Sequence, residues 1–170
     1  MTFCAGFPPV SQGHARVLVL GTLPGVASLK KRQYYGNGHN AFWKIMGELT
    51  GAVPGLPYEE RLERMASRGV ALWDVCKSAQ REGSLDSAIE SEQPNDFGAL
   101  FEAHEHIALI AFNGQPAERL FRRLVRPQLE ERIRVLPCVV LPSTSPAYAS
   151  MRYAEKLARW REELGGYLGA

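Results

Sequence analysis

The stretch GTLPGVASLKKRQYYGNGHNAFW, residues 21–43, decides how the rest of the chain is interpreted. It follows an apolar run at residues 17–20, which is typical of a short buried strand, and precedes a helical pattern that opens at Ala41. The residues between have neither the strand nor the helix period, and loops of this length in a small domain are usually functional or disordered. Two tyrosines, three consecutive basic residues and two asparagines favour a binding loop over a linker.

The overall composition predicts an ordinary globular domain. The 170 residues fit one domain spanning residues 1–170, and a hydrophobic content of 45% is typical of soluble proteins. No apolar run approaches the ~18 residues of a membrane span, and the first ten residues lack a secretory pattern. We therefore expect a cytoplasmic monomer without a membrane partner. A net charge of +2 permits a nucleic-acid partner without requiring one.

The cysteines bear on cofactors. Cys4, Cys76 and Cys138 lie far apart and form no CxxC pair. This spacing argues against a zinc site, an iron–sulfur cluster and a disulfide framework. We expect neither a metal nor a cofactor, and a reducing compartment.

Short apolar runs alternate with helical patterns along the chain. We predict strands at residues 16–20, 69–73 and 107–112 and within 133–141. Helices are predicted at 41–49, 58–67, 84–89, 97–104 and 150–168, and one that opens at Pro116. Residues 1–15 are expected to form a surface lead-in, and 74–83 a polar connection. Strands that alternate with helices predict an α/β fold, with a mostly parallel four-stranded sheet covered by helices on both faces.

The carboxyl ends of these strands predict a shared cleft, because ligands of such sheets bind there. They lead into GTLPG at 21–25, Trp73-Asp74, Asn113-Gly114 and LPSTSPA at 141–147. These segments offer amides, hydroxyls and backbone N–H groups. The chain lacks the phosphate-binding GxxxxGK[ST] motif, GxGxxG and the GxSxG elbow. Such a set favours positioning a substrate and stabilising a leaving anion over attack by a protein nucleophile.

The segments GTLPG, YYGNGHNAFW and LPSTSPA, supported by FNGQPAERLF and LWDVCKSAQREGSLDSAI, resemble the uracil-DNA glycosylase superfamily. Within it, the hypoxanthine-DNA glycosylase group is the best match. The resemblance covers most of the chain and implies a three-layer α/β/α sandwich. It further implies a monofunctional enzyme that flips a deaminated base out of DNA and hydrolyses its N-glycosidic bond without a metal.

The resemblance also implies residue roles. Asn40, in the N-x-F-W segment, would orient the attacking water, because Leu23 cannot replace the polar residue that many relatives have there. Tyr35 would stack on the flipped base and Asn113 would recognise it. The expected base-binding residues are Gly21, Thr22, Leu23, Pro24, Gly25, Tyr35, Phe42 and Asn113. The expected DNA contacts are Lys30, Lys31, with Arg32 beside them, and Ser143, Thr144, Ser145, Pro146 and Tyr148. Tyr148 departs from the group, in which a small polar residue is expected.

Several alternatives stay open at this point. Asn40 is also a suitable N-cap for the helix at Ala41, Asn113-Gly114 is a turn signal, and a basic run is commonly just solvated. A second possible lesion is uracil in mismatched or single-stranded DNA. A third alternative is a damaged-DNA-binding module without catalysis.

Overall fold

A computed structural model describes residues 2–169. Its central sheet has four parallel strands in the order β3-β2-β6-β7, with Leu20 of β2 paired to Trp73 on one side and Phe112 on the other. The strands are β2 (Val17–Gly21), β3 (Val70–Asp74), β6 (Leu109–Asn113) and β7 (Cys138–Leu141). The predicted four-stranded parallel sheet is therefore confirmed.

Alternating side chains of the sheet build two separate cores. Val17 and Val19 of β2 belong to the core on one face, and Leu18 and Leu20 to the core on the other. The first face is covered by α2 (Phe42–Thr50), α3 (Tyr58–Ser67) and α7 (Tyr153–Leu164). The second is covered by α4 (Phe97–Ala103), α5 (Gln115–Leu124) and α6 (Glu131–Arg134). The two cores give the three-layer α/β/α sandwich.

A second, antiparallel sheet was not predicted. It consists of β1 (Thr2–Ala5), β4 (Cys76–Arg81) and β5 (Glu90–Pro94), in the order β1-β4-β5. The interpretations of residues 1–15 as a lead-in and of 74–83 as a polar connection are therefore wrong. The sequence of β4, CKSAQR, hides a strand because it buries Arg81 along with Cys76 and Ala79, and a polar residue in the buried position breaks the apolar alternation.

The loop predicted between residue 21 and Ala41 contains a helix, α1 (Val26–Lys31). Six residues are too few to display a helical period, which explains the error. The helix ends at Arg32, whose φ of 55° is left-handed. The helix predicted at 84–89 is a 3₁₀ turn at Asp86–Ala88, and further 3₁₀ turns lie at Arg126–Gln128 and Gly165–Tyr167.

The four parallel strands point their carboxyl ends to one edge of the sandwich. At this edge the chain runs from β3 through Val75 directly into β4 of the small sheet. The Val75 and Cys76 N–H groups donate to the Gly21 and Thr22 carbonyls at 2.8 and 3.0 Å. The GTLPG turn is thereby held between the two sheets. Among residues 2–169, none of the helices combines the length and apolarity required to cross a bilayer.

Candidate active site

A cleft of about 840 Å³ opens at the carboxyl edge of the parallel sheet. Its volume lies within the range of small-molecule sites, roughly 300–1,000 Å³. The structure brings together there most of the expected site residues: Gly21, Thr22, Leu23, Pro24, Gly25, Tyr35, Asn40, Asn113, Ser143, Thr144, Ser145, Pro146 and Tyr148. The GTLPG segment and the LPSTSPA segment therefore line one cavity.

Four expected residues do not line this cleft: Lys30, Lys31, Arg32 and Phe42. Phe42 is fully buried, and its ring stacks on that of Tyr35 with centroids 4.0 Å apart and planes at 22°. Lys31 Nζ donates to the Gly36 carbonyl at 2.7 Å and so holds the loop. Lys30 is exposed near the end of α1. Contacts of these lysines with DNA stay a prediction.

Asn40 lies where the loop enters α2. Its Oδ1 accepts a hydrogen bond from the Phe42 N–H at 2.9 Å, and its own N–H donates to the Asn37 carbonyl at 2.9 Å. Because α2 begins at Phe42 with Ala41 as its N-cap, the first contact is an Asx turn that caps the helix from one residue before the N-cap position. The N-cap predicted at Asn40 is therefore displaced by one residue. The side-chain NH₂ group has no hydrogen-bond partner within residues 2–169, and Asn40 lines the cleft. The capping contact thus fixes the orientation of an amide whose donors are still available.

Thr144 connects the two halves of the cleft. Its N–H donates to Asn113 Oδ1 at 2.9 Å, and its Oγ1 accepts from Asn113 Nδ2 at 2.9 Å. Its carbonyl accepts from the Ala41 N–H at 3.0 Å. The loop is further tied to α7, because Trp160 Nε1 donates to the Pro142 carbonyl at 2.9 Å. An amide NH₂ group has two donors, so Asn113 keeps one N–H for a ligand.

Replacing Thr144 by valine should lower the free energy of unfolding by about 1–3 kcal/mol, because the buried Asn113 Nδ2 loses its acceptor. Thr144→Ser is the matched control, since serine keeps the hydroxyl and loses only a methyl group. Chemical denaturation of the three proteins measures the difference. Equal stability of the valine and serine variants would show that the hydroxyl bond contributes nothing.

Tyr35 is held at an energetic cost. Its φ of 53° is left-handed, which costs a non-glycine residue about 1–3 kcal/mol. Its hydroxyl is fully buried and has no hydrogen-bond partner within residues 2–169. Burial, reinforced by the charge of Asp74, raises the pKa of Tyr35; the Asn113 side chain acts in the opposite direction but forms no hydrogen bond with it. Such concentrated strain is typical of functional sites.

Asp74, to which sequence analysis assigned no role, lies at the buried end of the cleft. It is 5% exposed, and its Oδ2 has no hydrogen-bond partner within residues 2–169. A Cβ on Gly21 would lie 2.6 Å from Asp74 Oδ1 and 2.9 Å from the Tyr35 hydroxyl, so only glycine fits there. An aspartate at the carboxyl end of an apolar strand was the available signal, since ligands bind at that edge.

The 3₁₀ turn after β4 supplies a further wall that sequence analysis missed. Thr22 Oγ1 donates to Asp86 Oδ1 at 2.6 Å, and the Val26 N–H donates to Ser84 Oγ at 2.9 Å. Arg81, buried beneath, donates to the Pro24 carbonyl. Leu85, 60% exposed, lines the cleft between these anchored neighbours. The signal was the GSLD sequence at 83–86, which was noted without a role.

Charged and aromatic groups surround the mouth of the cleft. Arg119 of α5 and Arg159 of α7 line it and are exposed. Tyr148 is 39% exposed, and its carbonyl accepts from Lys156 Nζ at 2.7 Å. Burial lowers the pKa of Lys156, whose ammonium lies 5.1 Å from the Tyr148 ring centroid. Neither arginine was a predicted contact. Arg119 stands in the quoted segment FNGQPAERLF but was given no role there, and Arg159 lies beyond the last quoted segment, which ends at Ala147.

No cluster of three or more potential metal-ligating side chains (His, Cys, Asp or Glu) occurs in the part of the chain that the structure describes. The charged groups that line the cleft there are Asp74, Asp86, Arg119 and Arg159. The functional groups that the described wall of the cleft offers to a ligand are amides, hydroxyls, two carboxyl groups and two guanidinium groups.

Comparison with known proteins agrees with this geometry. A family model described as the uracil DNA glycosylase superfamily matches residues 8–165. The chain is 40% identical over 111 residues to a protein named hypoxanthine DNA glycosylase from Methanosarcina barkeri, covering 65% of this chain and 70% of that protein. It is 42% identical over 113 residues to one of the same name from Methanosarcina acetivorans, covering 66% and 72%.

A solved structure extends the match to the whole fold. A solution NMR structure from Methanosarcina acetivorans, described as that of a candidate uracil DNA glycosylase, superimposes with a TM-score of 0.81 at 34% identity. The match covers 98% of this chain and 99% of that one. The chain belongs to the uracil DNA glycosylase superfamily.

Proposed function

We infer that this protein is a DNA glycosylase that hydrolyses the N-glycosidic bond of deaminated bases, with hypoxanthine as its principal substrate. The observation that carries the proposal is the convergence of Asn40, Tyr35 and Asn113 in one cleft at the carboxyl edge of the sheet. The names of the relatives from Methanosarcina support the choice of hypoxanthine.

In the proposed reaction, Asn40 positions the water that attacks C1′ of the deoxyribose. Its Oδ1 is already oriented by the Phe42 N–H, so the unpartnered NH₂ group can hold the water without a further loss of side-chain freedom. A positioned catalytic group contributes about 10²–10⁴-fold to rate. A dissociative cleavage of the N-glycosidic bond requires only such a weakly activated nucleophile, because positive charge develops on the sugar.

The flipped base would stack on Tyr35. The Phe42 ring supports Tyr35 from the core side, and base–aromatic stacking contributes about 1–3 kcal/mol. The remaining N–H of Asn113 would donate to the base. Extrusion costs a few kcal/mol, and least for a mispaired base such as hypoxanthine.

The DNA backbone would lie across the mouth. The hydroxyl groups of Ser143 and Ser145, whose oxygens accept from the Ser145 and Ala147 N–H groups and whose O–H donors remain, suit phosphate contacts. The exposed guanidinium groups of Arg119 and Arg159 suit them as well. Lys30 would add a contact farther along. Affinity carried by such contacts falls with increasing salt. No lysine lines the cleft in residues 2–169, which favours a monofunctional hydrolysis over a Schiff-base mechanism.

Uracil is the second candidate substrate, because one structural relative is described as a candidate uracil DNA glycosylase. End-labelled duplexes that carry one inosine or one uracil, opposite each normal base and as single strands, would be incubated with the protein and treated with alkali. We expect strand cleavage at inosine. Cleavage at uracil alone would show that uracil, and not hypoxanthine, is the substrate. Tight binding without cleavage would indicate a binding module.

Glycosylase activity should survive excess chelator, because the proposed reaction uses only groups of the protein and water. The measurement is the rate of alkali-labile site formation in the inosine duplex before and after dialysis against the chelator. A loss of activity that a divalent metal restores would contradict the proposed mechanism.

A further inference from the structure

The buried end of the cleft holds a carboxyl group that the mechanism above does not use. Asp74 ends β3, and its position is fixed by the backbone, since Asn95 Nδ2 donates to its carbonyl at 2.8 Å. We propose that Asp74 is the general acid of the reaction, and that its protonated carboxyl group gives a proton to the departing base. This proposal rests on the proposed glycosylase function and adds a proton donor to it.

The carboxyl group belongs to the wall of the cleft that a flipped base would enter under the proposed function. Asp74 lines the cleft together with Tyr35 and Asn113. It packs directly against the backbone of Gly21, with no side chain between, and a Cβ there would overlap with its Oδ1. Oδ2 is fully buried with no hydrogen-bond partner within residues 2–169. A buried carboxyl oxygen without a partner is costly unless it is protonated or meets a ligand.

The surroundings favour the neutral form of this carboxyl group. Burial, with the charge of Asp86 on the neighbouring 3₁₀ turn, raises the pKa of Asp74 to about 7, although Arg81 of β4 acts in the opposite direction. The negative charge of Asp74 in turn raises the pKa values of nearby groups on the loop, α3 and β4: Tyr34, Tyr35, Tyr58 and Cys76. Near neutral pH, a substantial share of the molecules therefore carries the proton.

The other groups of the cleft are poor proton donors. No histidine or lysine lines it in residues 2–169. Arginine does not release its proton in proteins. The raised pKa of Tyr35 means that its hydroxyl holds its proton more tightly than usual. Asp86 is exposed and accepts a hydrogen bond from Thr22 Oγ1. Asp74 is thus the buried acid available in the described wall.

The proton balance of the step is complete. When the bond between C1′ and the base nitrogen breaks, its electron pair stays on the base. The proton of Asp74 moves to a ring nitrogen or the carbonyl oxygen of the purine, so the base leaves neutral and Asp74 becomes a carboxylate. Water adds to C1′ and releases one proton to solvent, and solvent returns one proton to Asp74.

The experiment measures single-turnover rates on an inosine duplex from about pH 5 to pH 9. Wild-type activity should be highest below the Asp74 pKa and fall as pH rises through about 7. Asp74→Asn should be slower at low pH by a factor of roughly 10²–10⁴ and lose this alkaline fall. Its unfolding temperature should also decline less than that of wild type from about pH 4 to pH 7, because ionising a buried carboxyl group destabilises the folded state.

Asp86→Asn provides a second variant that leaves Asp74 in place. Removing the Asp86 charge relieves its repulsion on Asp74 and lowers the pKa of Asp74. The alkaline fall in activity should therefore move to lower pH, which a purely structural role of Asp74 would not produce. This variant keeps the proposal testable should Asp74→Asn fail to fold.

The outcomes separate the two proposals. Wild-type rate and pH profile in Asp74→Asn would overturn the general acid alone. A different result would be a wild-type rate that rises with pH through neutrality, with no such rise in Asp74→Asn. That result would assign Asp74 as a base for water and would also overturn the general acid. An unchanged profile in Asp86→Asn counts against it. Absence of cleavage by wild type at every pH would overturn the glycosylase function, and the general acid with it.

Discussion

Asn40→Ser is expected to fold with nearly wild-type stability and to lose glycosylase activity by a factor of roughly 10² or more. A serine hydroxyl can also accept an N–H two residues on, although more weakly than asparagine, so it can replace Asn40 Oδ1 as the acceptor of the Phe42 N–H. It has no NH₂ group, and its side chain is shorter. The variant therefore removes the water-holding donors and keeps the cap.

Asn40→Ala is the companion variant. It should lose similar activity and, in addition, about 1 kcal/mol of folding free energy, because the cap is lost. Single-turnover cleavage of an inosine duplex and thermal unfolding of both variants supply the two measurements. A stable Asn40→Ser protein with wild-type rate would reduce Asn40 to a cap. The water would then have to be held by another group. Asn113, which lines the cleft, is the next to test, before His39, which lies beside Asn40 in the chain but does not line it.

Tyr35→Ala is expected to lower the free energy of unfolding by about 2–3 kcal/mol, below the ~3–5 kcal/mol of a fully buried aromatic residue, because Tyr35 is only partly buried. The ring stacks on Phe42, and its removal leaves a cavity beside the core. Activity should fall as well, because base–aromatic stacking of about 1–3 kcal/mol is lost. Denaturant unfolding and single-turnover rates at subsaturating and saturating protein measure both effects.

Tyr35→Phe is the matched control. It keeps the ring and removes a buried hydroxyl that has no hydrogen-bond partner in the described chain, so its stability should equal or exceed that of wild type. Most activity should remain if the ring face is what the base contacts. Activity of Tyr35→Ala equal to that of wild type would move the stacking role to another residue. A severe rate loss in Tyr35→Phe would instead assign a role to the hydroxyl.

The parallel sheet could be predicted because each of its strands is locally apolar. The strands predicted at 16–20, 69–73 and 107–112 contain the continuous apolar runs 17–20, 70–73 and 107–112, and the structure has strands within one or two residues of each. The antiparallel sheet could not be predicted, because its strand Thr2–Ala5 pairs with residues 78–81, which lie far along the chain. Such pairing leaves no local period, and the polar sequence of β4 is stabilised only by the tertiary contacts that bury it.

The candidate site divides in a similar way. Asn40, Tyr35 and Asn113 were accessible through motifs that are contiguous in sequence. Asp74 was visible as a residue but not as a site, because its perturbed pKa depends on burial and on Asp86, twelve positions later. The two interpretations of Asn40, as a cap and as a catalytic group, do not exclude each other, since the same side chain makes the capping contact and lines the cleft.

The hydrogen bonds that hold the loop after β7, residues 142–148, determine which substitutions the mouth of the cleft can accept. Thr144 contacts α2 through its main-chain carbonyl, and Lys156 grips the main-chain carbonyl of residue 148. Neither bond depends on which side chain stands at 148. Either tyrosine or a small polar residue can therefore stand at position 148 without displacing Asn40 or Asn113. If Tyr148 contacts DNA as predicted, a substitution there would alter the preference for neighbouring bases separately from the proposed chemistry at Asn40 and Asn113.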